Sequence, residues 1–95
     1  MRIHELKIWP EFFEAVAAGV KTAEFRQNDR GFEVGDKLHL REWSQPSNEY
    51  SGREKFATVT HIVHGGRFGL PVGYCVMSIV LDSPVAKLDA APDAY

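Results

Sequence analysis

One segment of this chain has a helical period; nearly everything else alternates. Residues Ile3 to Trp9 place His4, Leu6 and Ile8 on one parity and Glu5 and Lys7 on the other, the period of a half-buried strand. Pro10 then opens Glu11-Phe12-Phe13-Glu14-Ala15-Val16-Ala17-Ala18. Proline suits a helix's first turn, where its missing N–H costs nothing, and Glu11 complements the helix dipole there. Phe12 with Val16, and Phe13 with Ala17, recur four apart and predict the inward face. Gly19 can adopt the left-handed conformation that ends a helix.

Downstream the period returns to two. From Thr22 to Asn28, Ala23 and Phe25 oppose Thr22, Glu24, Arg26 and Asn28. Asn28-Asp29-Arg30-Gly31 and Val34-Gly35-Asp36 read as turns. A third strand, Lys37 to Trp43, sets Leu38 and Leu40 against His39 and Arg41. Ser44 to Gly52 reads as a loop, and a long strand is expected from about Arg53 to Val63. Gly65 to Pro71 is glycine-rich and reads as a mobile rim. Tyr74 to Leu81 is apolar on both parities, which predicts a central strand covered on both sides.

These elements predict a mainly β fold with a short N-terminal helix (α+β), a small β-barrel of about five to six strands. An open α+β roll would give the same periodicity. Ninety-five residues suffice for one domain, expected over 1–82, with 83–95, rich in Ala, Pro and Asp, as a loosely held tail. The net charge of -2 excludes an overall basic character, although 11 Lys and Arg leave room for a local basic groove. Cys75 is the single cysteine and lies in an apolar run, so it reads as a buried, inert thiol. Met1 to Glu5 has no signal-peptide pattern and no apolar run approaches a membrane span, so a cytoplasmic protein is expected.

The richest chemistry sits just after the helix. Glu24 and Arg26 share a strand face about 6.6–7 Å apart, Thr22 and Asn28 extend the row, and Lys21 stands at the junction. A lysine beside a carboxylate can clamp an anion or act as nucleophile or base. The same spacing also fits an ordinary polar face with a Glu–Arg pair. His4 shares its parity with Leu6 and Ile8 and reads as a hydrogen-bonded core histidine. His61 and His64 are three apart, on opposite faces of a strand, so no metal or cofactor is expected. Tyr50 and Arg53 could stack a base and grip phosphate, or simply end a hairpin. Trp9 and Trp43 would cap the barrel or flank the site.

Gly19-x-Lys21-Thr22-x-Glu24-x-Arg26 resembles the G-x-K-x-x-E-x-R signature of the ASCH domain, a member of the PUA-like superfamily. Further stretches resemble one small bacterial and phage branch of it without an assigned function: His4 to Ile8, Phe12-Phe13, Asn28-Asp29-Arg30-x-Phe32-x-x-Gly35-Asp36, Tyr50-x-Gly52-Arg53, Gly65-Gly66 to Tyr74, and Val76-x-Ser78-Ile79. The likeness runs to about Leu81. It implies a PUA-like barrel, a bacterial or phage origin, and a cleft associated with RNA or modified nucleobases, lined by Lys21, Glu24 and Arg26. One ASCH group looks to deacylate the N4 position of cytidine, using a Lys, a Thr three residues later and a distant Glu. Lys21 matches that pattern, but Glu24 stands where the threonine hydroxyl would be.

Three functions follow as expectations. The first is a module binding RNA or a modified nucleoside through Lys21, Thr22, Glu24, Arg26, Asn28, Tyr50 and Arg53, with Tyr50 or Trp43 stacking. The second is a small nucleoside or RNA hydrolase of amidohydrolase or ribonuclease type, with Lys21 as nucleophile or base and Glu24 or Glu42 carrying the proton. Glu42 follows Leu38 and Leu40 in parity and would face inward. The third is a phage or host accessory domain that binds a protein partner. No membrane partner is expected.

Overall fold

A computed structural model describes residues 1–82, and the tail expected at 83–95 lies outside them. The elements are β1 (Ile3–Ile8), α1 (Pro10–Ala17), β2 (Ala23–Gln27), β3 (Lys37–Ser44), β4 (Glu49–His64) and β5 (Tyr74–Leu81). The five strands form one sheet in the order β1-β3-β4-β5-β2, curled into a half-barrel around a single core. β1 lies parallel to β3, and the remaining pairs are antiparallel.

Helix α1 ends where the glycine predicts. Gly19 has φ 80, its N–H donates to Val16 O, and Val20 N–H donates to Ala15 O, the paired bonds of a Schellman motif. Phe13 and Val16 enter the core while Phe12 stays largely exposed. The expected Phe12–Val16 face is therefore rotated toward Phe13, because the helix packs on β3 and leaves Phe12 at the edge of the sheet.

The core joins Leu6 and Ile8 of β1, Leu38 and Leu40 of β3, Ala57 and Val59 of β4, and Cys75, Met77 and Ile79 of β5. Only one face of β5 is buried; Ser78 and Val80 of the other parity are exposed. A curled sheet has a single concave side, so the expectation of two covered faces fails even though β5 is central. Cys75 is fully buried, and burial pushes its thiol pKa up, as suits an inert side chain.

Strand β4 begins at Glu49, four residues before the expected Arg53, and a short turn over 45–48 joins it to β3. Two register shifts bend it, one opposite Glu42 and one between Val59 and His61. Bulges of this kind increase local twist and help a sheet to curl. The stretch from Gly65 to Gly73, expected as a mobile rim, carries backbone bonds of its own. Gly65 N–H donates to Tyr74 O, Gly66 N–H to Leu70 O, Leu70 N–H to Arg67 O, and Tyr74 N–H to Pro71 O. A Cβ on Gly65 would lie 1.8 Å from Pro71 O, so that position admits glycine alone.

A buried polar pair fixes the entrance to β3. His4 Nε2 lies 2.8 Å from Asp36 Oδ2, Arg2 N–H donates to Oδ1 and Glu33 N–H to Oδ2, and the His4 ring meets Phe32 edge-on at 4.7 Å. His4 is thus a hydrogen-bonded core histidine, as its parity predicts.

Burial works to raise the Asp36 pKa, but the bonds from His4, Arg2 and Glu33 outweigh it and hold the carboxyl below its ordinary value. A group depressed in the folded state contributes stability above its unfolded pKa, near ~3.9, and that stability is lost as pH falls through the folded value. Asp36→Ala is expected to cost about 3 kcal/mol in urea unfolding at neutral pH. It should also lose less stability than the wild type on acidification below about pH 4.

Candidate functional site

The sheet does not close. β1 and β2 are its two edges, and the gap between them is spanned by side chains. Arg26 Nη2 donates to Lys7 O at 2.6 Å and Arg30 Nη1 to Glu5 O at 2.6 Å, so guanidinium groups take up edge carbonyls that a further strand would otherwise pair.

A cleft of about 470 Å³ opens at this seam. Its walls come from the end of β1 (Lys7, Ile8), the start of α1 (Trp9, Phe12), the α1–β2 junction (Lys21), β2 (Glu24 to Gln27) and Tyr74 of β5. The polar parity of β2 is the inward one: Glu24 is 5% exposed while Phe25 is 54% exposed. Glu24 ties the floor together, accepting from Lys21 Nζ at 3.1 Å on Oε1 and from Arg26 Nε at 2.6 Å on Oε2. Lys21 also donates to Ala23 O, which pins its ammonium over the strand.

Two aromatic pairs flank that floor. Trp9 stacks on Phe12 with centroids 6.3 Å apart, and Phe25 on Tyr74 at 5.4 Å. Lys7, on the rim, also sits 4.4 Å above the Trp43 ring, so Trp43 flanks the cleft and Trp9 lines it. The result is a concave site with mainly apolar walls and a few convergent charges, the usual make-up of a small-ligand pocket.

Of the residues singled out by sequence, Lys21, Glu24 and Arg26 meet here. Thr22 borders a second, smaller hollow of about 300 Å³ that Lys21 also lines. Asn28 is committed to its turn, with Oδ1 accepting from Phe32 N–H and its own N–H donating to Gly73 O. Tyr50 lies beneath the Arg41 guanidinium at 3.8 Å.

Glu42 and Arg53 form a separate group beside α1. The β4 bulge places Ser51, Gly52 and Arg53 opposite Glu42, so that Ser51 Oγ donates to Glu42 Oε1 at 2.6 Å. Arg53 reaches Glu14 at 2.6 Å and Glu42 at 3.6 Å. Its hydrogen bond and charge lower the Glu14 pKa. Neither Glu42 nor Arg53 lines the seam cleft.

Sequence reasoning missed Phe12, Phe25, Tyr74, Lys7 and Gln27 as wall residues. The available signal was Phe25, an aromatic side chain on the parity opposite a charged row. Among the described residues no group of three His, Cys, Asp or Glu could hold a metal ion, and no helix is long and apolar enough to cross a membrane.

Glu24→Ala would leave the Lys21 and Arg26 charges facing each other without their common partner. A loss of about 2 kcal/mol is expected in urea unfolding, with Glu24→Gln losing less because it keeps an acceptor and the shape.

A family described as a domain of unknown function, DUF3850, matches residues 3–79. An uncharacterized 12.9 kDa protein from the GpA 3′ region of Escherichia phage P2 is 43% identical over 61 residues, which is 64% of this chain and 54% of the relative. The chain therefore spans about half the length of the curated relative it matches. With nearly all of its ordered elements inside the matched range, the chain belongs to the DUF3850 family.

Proposed function

We propose that the seam cleft binds a nucleobase, carried by RNA or by a modified nucleoside, and that the chain is an ASCH-like domain of the PUA-like superfamily. The observation that carries this reading is Glu24: a buried carboxylate, bridged by Lys21 and Arg26, on a floor between two aromatic pairs. Planar rings suit aromatic walls, and stacking on such walls contributes about 1–3 kcal/mol per base. Each Glu24 oxygen accepts one hydrogen bond among the described residues, and a carboxylate has about four acceptor sites, so a base N–H or amino group has somewhere to donate. Lys21 and Lys7 supply charge for a phosphate at the rim. The resemblance of the Gly19 to Arg26 segment to the ASCH signature points the same way.

Hydrolysis is the second reading, favoured by the 3.1 Å approach of Lys21 Nζ to Glu24. In that case Glu24 carries the proton, since Glu42 stands outside the cleft. A domain that only engages a protein partner is the third reading. In that reading the ion pairs of Glu24 with Lys21 and Arg26 serve only to orient Arg26 toward Lys7 O across the seam.

One experiment separates the three. A panel of modified nucleosides and short RNAs is tested for binding and for mass change, against the wild type and Lys21→Ala. The base-binding reading expects saturable binding without mass change, weakened roughly tenfold or more in Lys21→Ala. It also expects a shallow salt slope reflecting only a few phosphate contacts. Product formation lost in Lys21→Ala establishes the hydrolase instead, and no binding at all leaves the protein-partner reading.

A further inference from the structure

The loop that closes on the cleft wall carries an aromatic ring where the backbone does not favour one. In the tight turn Arg67-Phe68-Gly69-Leu70, Leu70 N–H donates to Arg67 O, and Phe68 and Gly69 have φ of 55 and 77, as in a type I′ turn. The first central position of such a turn favours Asn, Asp or Gly, and a bulky side chain there is an outlier. Phe68 nevertheless occupies it with 87% of its surface exposed, so its ring is held out to solvent without packing into the core. Strained backbone that presents a side chain with no structural use is a pointer to function.

Three further observations say what the ring meets. The Arg67 guanidinium lies over the Phe68 ring at 5.3 Å, giving a flat face with a cation beside it. Among the described residues Arg67 makes no ion pair, whereas Lys37, His39, Arg41 and Arg53 each face a carboxylate. The loop is tied by a ladder of backbone bonds, has no room for a Cβ at Gly65, and closes on Tyr74, which is also a wall of the cleft.

We infer that the Arg67–Phe68 tip is a second contact for single-stranded RNA, with Phe68 stacking on a base and Arg67 meeting a phosphate of the same strand whose base enters the cleft. This rests on the base-binding reading of the cleft and deepens it: the ligand is a strand rather than a free nucleoside. An exposed ring beside an uncommitted guanidinium is the chemistry that holds unpaired bases, and a loop tied by backbone bonds loses less entropy on binding.

The test compares wild type, Phe68→Asn and Arg67→Ala by fluorescence anisotropy. The probe is a labelled mixed-sequence single-stranded RNA of about 12 nucleotides, with a DNA counterpart. In parallel, NMR follows the cleft resonances as the four ordinary nucleosides are added. The expected result is roughly tenfold weaker RNA binding in each variant, with nucleoside shifts at the cleft unchanged. Phe68→Asn should melt no lower than wild type, because Asn tolerates the positive φ better than Phe. RNA binding equal to wild type in both variants overturns the inference while leaving the cleft reading intact, and gives the tip to a protein partner. Wild-type binding of RNA no tighter than of nucleosides overturns it in the same way. DNA bound as tightly as RNA overturns the assignment to RNA. If neither nucleosides nor RNA bind, the cleft reading fails and the inference fails with it.

Discussion

A sheet that curls without closing leaves backbone groups on two edges, and on β1 the carbonyls of Glu5 and Lys7 look across the gap. These carbonyls are exposed, and left bare they would offer a template for another strand. Here the partners are arginine side chains, Arg30 for Glu5 and Arg26 for Lys7. Arg26 can reach only because it projects inward from β2, and it is oriented there by Glu24. Glu24 in turn is tolerable in a buried position because Lys21 and Arg26 bridge it. The edge, the buried charge and the cleft floor are therefore one arrangement.

That arrangement explains the inverted polarity of β2. A strand on a core normally turns its apolar parity inward, but here the Arg26 guanidinium and the Lys21 ammonium project into the space between the sheet edges. The inward parity must answer those charges, and Phe25 is pushed to the rim, where it stacks on Tyr74. A separate polar group beside α1, with Arg53 between Glu14 and Glu42 and its guanidinium 4.8 Å from the Phe13 ring, holds the helix against the hairpin. Outside the barrel, His39 on Phe56 and Arg41 on Tyr50 cover the convex sheet with ring–cation and ring–ring contacts.

Local chemistry was legible and long-range geometry was not. The bounds of β1 and β5, the helix after Pro10 and its stop at Gly19 all follow from period and turn residues acting within a few positions. The Lys21, Glu24 and Arg26 cluster was legible for the same reason, since residues two apart on a strand share a face. The single covered face of β5 was not, because apolar residues on both parities say nothing about sheet curvature. The early start of β4 was hidden by Ser51 and Gly52, loop-like residues that form a bulge opposite Glu42. The cleft walls were the least legible part. Trp9, Phe12, Phe25 and Tyr74 come from three separate stretches of chain, and only the strand order brings them together.

The strand order also sets the sequence of events by which the molecule assembles. β3, β4 and β5 are neighbours both in the chain and in the sheet, so they can pair through short loops with little closure entropy. The amino-terminal unit of β1, α1 and β2 has no pairing of its own; β1 needs β3, and β2 needs β5. During synthesis β1 emerges before β3, and β2 before β5. β1 has its partner once β3 is made, but β2 has none until β5 is made, so the wall of the gap that β2 forms cannot be in place before then.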